Sequence, residues 1–271
     1  MRGWRGPNGK ANYLSRRSPS RLEVFHLAPR TPPRTLLLVI LTAVMVVSGC
    51  ISSDDGTIKV GDLRTEDTFV EIGEADAVEV NLDIGQGNLR VRTGGDELME
   101  AIIKYNVDQW KPRFTYVEQG EIWNLTVRQP GQDLDVEGDA RNDWDLRFGL
   151  VVPMAINVEM GVGNADIQVG GLDLVSLSVS TGAGEVDLDL SGTWYDHLLV
   201  RVGTGAGDVG LIVPSGIGVQ ISVIQGAGTV IAPGFTQVEG NYKNAAFDTA
   251  QVLMLFAVDI GAGNLKVLQV P

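Results

Sequence analysis

Sulfur, imidazole and positive charge are all scarce in this chain. Its 271 residues include one cysteine, Cys50, and two histidines, of which only His197 lies beyond the first 49 residues. One thiol cannot close an internal disulfide, so the fold must hold through its core. A Cys/His zinc site is excluded by the same shortage. A nucleophilic triad needs a positioned base and oxyanion donors. His197 sits beside Asp196 and near Ser191, but "WYDHLL" reads as a turn entering a strand, and nothing marks a nucleophile. No enzyme activity is expected, and no catalytic, cofactor or metal residue. Aromatic residues make up only 6% of the chain. Tyr105, Trp110, Phe114, Tyr116, Trp123 and Trp144 gather in the N-terminal half, where they could line a sugar- or peptide-binding face. Side chains that large more often fill a core, and that is the reading taken.

Basic residues number 21 against 34 acids, and their distribution is uneven. Residues 1–49 carry eight Arg and Lys against the single acid Glu23, which leaves 13 basic and 33 acidic residues and a net charge of −20 beyond them. A body this acidic has no electrostatic footprint for nucleic acid and reads as a solvated surface. Long apolar runs are also missing, with one exception. "RTLLLVILTAVMVVSGC" sets Arg34 before an apolar run from Leu36 to Val47. That run is shorter than the roughly 20 residues a bilayer span needs and fits the hydrophobic region of an export signal. "VSGC" resembles a bacterial lipobox, in which lipid is attached to the cysteine and the chain is cut before it. The chain is therefore expected to be exported and held at the cell membrane by lipid on Cys50. Residues 1–29 are long for a signal prefix, and a later start, for instance at Val24 or Leu27, would suit it better. The expected organisation is a signal segment over 1–49, then the lipidated cysteine and a tether over 50–62.

Glycine, by contrast, is plentiful, with 34 residues. It recurs as G-x-G at Gly85/Gly87, Gly161/Gly163, Gly182/Gly184, Gly205/Gly207, Gly226/Gly228 and Gly261/Gly263. The four copies beginning at Gly161 are spaced 21, 23 and 21 residues apart, a repeat signature. Apolar residues alternate before each copy and resume on the other parity after it, as in Leu177, Val179 and Ala183 followed by Val186, Leu188 and Leu190. The same flip runs from Val200, Val202 and Ala206 to Val209, Leu211 and Val213, and from Val258, Ile260 and Ala262 to Leu265 and Val267. A one-residue slip would turn an apolar set outward, so each copy must absorb an extra residue as a bulge or corner. Glycine admits the positive φ such a corner needs, and Asn or Asp tolerates it next best. Asn88, Asn164, Glu185, Asp208, Thr229 and Asn264 follow the six copies. The twelve glycines are thus expected to be structural corners between strands, with Leu188 and Leu211 inward and Asp187, Asp189 and Gly210 outward.

"GTGAGDVG" (203–210) contains G-x-G-x-x-G, yet a dinucleotide fingerprint should open a helix, and the "LIVP" that follows is β-branched and ends in proline. Nucleotide is not an expected partner. "DLDVEGDARNDW" (133–144) imitates the first half of a calcium loop, but Trp144 stands where the bidentate Glu belongs, so an acidic loop between strands is the better reading. "DELMEAII" (96–103) fits two helical turns and a strand entry equally.

"DELMEAIIKYNVDQWKPRFTY" and "LTVRQPG" resemble the N-terminal domain of the toast-rack family. The stretch from "SGTWYDHLLVRVGTGAG" to "APGFTQVEGNYKNAAFD" is similar to its C-terminal part, which resembles the C-terminal domain of LiaF-type proteins of the cell-wall-active antibiotic response. The resemblance covers roughly residues 60–271 and implies an all-β, solenoid-like stack, exported or membrane-tethered, with no catalytic residues to carry over. It divides the body into an N-terminal toast-rack domain (63–150) and a C-terminal LiaF-like domain (151–271). The function implied is a non-enzymatic interaction or envelope-stress sensing module with an envelope protein or cell-wall partner. The alternative is a passive adhesive or structural surface solenoid.

Overall fold

The computed structural model describes residues 58–271, except Gln119, Asp133 and Val151. Cys50, the signal segment and most of the tether lie outside the described residues. The described chain is all-β apart from one 3-10 turn at Asp108–Trp110. "DELMEAII" resolves as a strand, Met99–Tyr105.

Six rungs form the body, each a long strand, a Gly-x-Gly corner and a short strand. Rung one is Ala77–Gln86 and Asn88–Thr93, rung two Met154–Val162 and Ala165–Gln168, rung three Leu174–Ala183 and Val186–Asp189. Rung four is Leu198–Ala206 and Val209–Pro214, rung five Gly218–Ala227 and Val230–Ile231, rung six Leu253–Ala262 and Leu265–Val270. Long strands pair in parallel in one sheet and short strands in parallel in a second, and the corners join the two along one side. The architecture is the expected all-β stack.

Chain order and stacking order part at one place. Both sheets run one, two, three, four, six, five, so the last rung of the chain is inserted between the fourth and fifth. Between rungs one and two the chain makes an excursion, residues 94–153, that builds the N-terminal end. There Ile122–Arg128 and Asn142–Phe148 pair in parallel with the two strands of rung one. Beyond them, Arg113–Val117, Met99–Tyr105 and Arg64–Val70 add in antiparallel fashion. At the other end a hairpin, Phe235–Val238 and Asn241–Asn244, lies against the first part of rung five. The two sheets continue across residue 150, since rung one pairs directly with rung two.

The core lies between the sheets. Val80, Leu82 and Ile84 face Leu89 and Val91 across the first corner, and Leu188 and Leu211 are buried while Asp187 is exposed. Fully burying such a side chain stabilises by about 1.5–3 kcal/mol, which keeps every rung in register. Two inward assignments fail. Ala206 and Ala262 are exposed, and the last inward seats before those corners belong to Thr204 and Ile260. The chain is already turning at the middle residue of G-x-G, so that side chain swings outward although its parity points in. The equivalent Val162 is 58% exposed for the same reason.

Candidate functional site: the glycine corner column and the charged groove beside it

The corners stack into a column, and the two glycines of each copy serve it differently. The second glycine has a positive φ in all six, from 134° at Gly228 to 152° at Gly263. The first has no positive φ, but in rungs two to six a Cβ there would overlap the backbone of an adjacent rung. On Gly205 it would strike the Gly182 carbonyl, and on Gly261 the Gly205 carbonyl. Close approach lets the second glycine's N–H reach the next corner, as in Gly184 donating to the Ala206 carbonyl at 2.9 Å and Gly207 to that of Ala262 at 2.9 Å.

Gly87 and Gly163 are the second glycines of the two corners at the N-terminal end of the column. Each turns a corner with a φ of 140°. Together with Gln86, Trp110, Asn142 and Val162, however, both also line a shallow surface cavity of about 220 Å³. A Cβ on Gly163 would strike the Gly87 carbonyl, as between other rungs, whereas one on Gly87 would strike Asn142 of the excursion. Gly85 likewise faces the Gln132 side chain instead of another corner. Asn142 of the excursion thus stands against rung one where a further corner would stack.

The polar residue after each corner does more than tolerate its backbone angle. Asn164 Oδ1 accepts from the Glu185 N–H at 3.0 Å, Asp208 Oδ1 from the Asn264 N–H at 2.9 Å, and Asn264 Oδ1 from the Thr229 N–H at 3.1 Å. These oxygens form a ladder up the column, interrupted between Glu185 and Asp208. The Asn264 N–H, helped by its side-chain amide and by Lys266, holds the Asp208 carboxyl below the usual range against the opposing effect of burial. Sequence reasoning missed the ladder, and its signal was the preference for short side chains ending in an acceptor. At the N-terminal end Asn142 takes over. Its Nδ2 donates to the Gln86 carbonyl at 2.8 Å and to Gln129 Oε1 at 2.9 Å, both amides being buried.

The remaining candidates resolve individually. His197 Nδ1 accepts from the Leu253 N–H at 3.0 Å, an imidazole used to join rung four to the start of rung six. In the acidic loop, Val136–Glu137 pair with Ile58–Lys59 as a two-stranded ribbon, and no metal-binding cluster of three His, Cys, Asp or Glu occurs among the described residues. Trp110, Trp144 and Tyr105 are buried in the core, while Tyr116 and Trp123 meet edge to face at 5.4 Å beside it.

Next to the column, the outer face of the short-strand sheet forms an open groove of about 610 Å³ over the N-terminal rungs. Strand register lines up its side chains. Ile102, Asp145, Arg90, Asp166 and Asp187 occupy one row across five strands. Arg90 Nε lies 3.2 Å from Asp166, and a guanidinium nitrogen of Arg92 lies 3.9 Å from Asp145. Burial would raise the Asp143 carboxyl, but hydrogen bonds from Asn88 and Arg141, with the charges of Arg141 and Lys104, hold it below the usual range. Pairs this exposed contribute about 0.2–1 kcal/mol each. Such a surface can recognise a charged or hydrogen-bonding partner along several rungs.

A family model described as the N-terminal domain of toast_rack matches residues 59–212. A crystal structure from Clostridium sporogenes, described as that of a candidate cell adhesion protein, is 28% identical with a TM-score of 0.74, the match covering 77% of this chain and all of that one. A candidate adhesin from Bacteroides fragilis is 14% identical with a TM-score of 0.31, over 78% of this chain and all of that one. No curated protein matches the sequence.

Proposed function

Because this chain belongs to the toast-rack family, matched over more than half its length, we propose that it is a lipid-anchored protein of the cell envelope that works by binding rather than by catalysis. The observation that carries the reading is the charged groove. Its ionic side chains are aligned by strand register over several rungs, as suits contact with an extended or protein partner. Other polar chemistry serves the scaffold, as at His197 and at Asn142 with Gln129. The anchor is lipid on Cys50, supported by the apolar run and the lipobox-like "VSGC" before it. Among the described residues no helix is long and apolar enough to cross a membrane.

Within that class we favour an interaction or envelope-stress sensing module, which the LiaF-like resemblance of residues 151–271 supports. The second reading, a passive adhesive or structural solenoid, draws on the description of the Clostridium sporogenes relative. The test is capture of partners by the full chain from membranes, with and without cell-wall antibiotics, alongside Arg90→Glu/Lys104→Glu. Capture of a defined envelope protein that responds to antibiotic and is lost in the double variant supports sensing. Capture indifferent to antibiotic, with reduced attachment of whole cells in the variant, supports adhesion. Unchanged capture and attachment in the variant removes the groove from either role. Release of Cys50→Ser from membranes is expected, and retention after a high-salt wash would overturn the anchor.

A further inference from the structure

The two ends of the stack are finished differently. Rung five closes the C-terminal end, and the hairpin strand Asn241–Asn244 pairs only with Gln220 to Ser222 of its long strand. Val223 to Ala227 have no strand beyond them among the described residues, and Val230–Ile231 is the outermost short strand. The corner of rung five is therefore open. In every other rung the N–H of the second glycine finds the carbonyl of the next corner, as Gly263 does with Ala227 at 2.9 Å. Translating that pattern one step leaves the Gly228 N–H pointing off the end of the stack, and Gly226 to Thr229 are all exposed.

Exposed sheet edges are usually guarded by charge, because unpaired N–H and C=O groups template further pairing. The N-terminal edges follow that rule. Arg64–Val70 carries Arg64, Glu66 and Asp67, and Arg113–Val117 begins with Arg113. The C-terminal edge has no such guard. "VIQGAGTVI" (223–231) has no ionisable side chain, and residues 215–247 hold one acid, Glu239, and one base, Lys243. The rest of the body is strongly acidic. Here Ile224 is 69% exposed and Ile231 52% exposed.

We propose that this open rung is an interface between two copies of the chain, joined end to end through their C-terminal edges. A second copy is the occupant the charge pattern favours. Two bodies of net charge −20 repel along their sides and at their guarded ends, and the neutral rung is where they can approach. A two-fold axis normal to the long-strand sheet and passing by Gln225 sets Val223–Ala227 antiparallel to its own counterpart. That supplies partners for the free edge and brings the two Ile224 side chains toward one another on the outer face. The arrangement is isologous and closes at two copies. Growth past two is blocked because the opposite end offers charged antiparallel strands, with Gln129 and Asn142 filling the place of a corner.

The proposal is independent of the groove and of the anchor. Sedimentation of the full chain in detergent, across a range of concentrations, tests it. The expected result is a monomer–dimer equilibrium that weakens by about a hundredfold or more in Ile224→Lys/Ile231→Lys, where like charges are juxtaposed. Both positions are exposed, and an unchanged circular dichroism melt verifies the fold. A second measurement is cross-linking in membranes with a short bifunctional thiol reagent. Ile224→Cys should form a linked dimer above the wild-type background, and Arg113→Cys should not. A wild type that stays monomeric throughout, a dimer undiminished in the lysine variant, an open-ended series of oligomers, or cross-linking only through Arg113→Cys would each overturn the interface.

Discussion

The sharpest test of the interior is a pair of hydroxyls. Thr181 and Thr204 lie in register on rungs three and four, 4% and 5% exposed, and neither hydroxyl has a partner among the described residues. The same seat is Ile84, Met160 or Ile260 in other rungs. A buried donor left unpaired costs about 1–3 kcal/mol, and valine matches threonine in shape and suits a strand. Thr181→Val and Thr204→Val should each raise stability by about 1 kcal/mol or more, measured by urea denaturation. A loss from either change would mean that its hydroxyl is satisfied, by a bridging water for instance. These threonines also show where residue-level reading stopped. Val200, Val202 and Ala206 marked the inward parity, yet the last inward position before the corner belongs to Thr204, because the turn expels Ala206 from the interior.

Among elements, the corner is the unit that recurs, and its two glycines were legible for only one of their two reasons. Positive φ at Gly207 follows from the parity flip and from what glycine alone does easily. The close backbone approach at Gly205 depends on Gly182 in a neighbouring rung and leaves no trace in the local sequence. Nor does the contact of Gly87 with Asn142, which stands where a further corner would stack. Gly207 is constrained both ways, since a side chain would also overlap the Gly184 carbonyl. Gly216 provides the contrast. It has an ordinary φ and nothing within 4 Å of the position a methyl group would take. Gly207→Ala should destabilise by roughly 2 kcal/mol or more, combining strain at an unfavourable φ with displacement of a rung. Gly216→Ala should be neutral or stabilise by about 0.4–1 kcal/mol through the unfolded chain. Thermal melts of both decide the matter, and equal losses would show that the column is not the constrained feature.

For the molecule as a whole, the insertion of rung six has a mechanical consequence. A solenoid stacked in chain order would lose only its last coil on C-terminal truncation. Here the segment after Gln251 supplies a middle layer, with Met254, Phe256, Val258, Ile260, Leu265 and Val267 all buried. At about 1.5–3 kcal/mol for each large apolar side chain, their loss is on the order of 10 kcal/mol, comparable to the roughly 5–15 kcal/mol stability of a whole domain. A chain ending at Gln251 should therefore lose its cooperative melt by circular dichroism. A shortened but still cooperative protein would contradict the inserted layer.

Strands, corners, the parity on either side and the all-β class could be read from the chain because each depends on residues within a few positions of one another. Period-two alternation, a one-residue slip and a glycine at the slip are local events. The stacking order, the Asn and Asp ladder and the pairing of charges in the groove came only with packing. So did the fate of the aromatic cluster, which divides between core and core margin. Those outcomes rest on contacts such as Gly205 with Gly261, or Arg90 with Asp166, between residues 56 and 76 positions apart. Rungs five and six are both amphipathic and both carry the corner motif. Only side-chain packing and the returning hairpin select which of them lies inside the stack and which is left with an open edge.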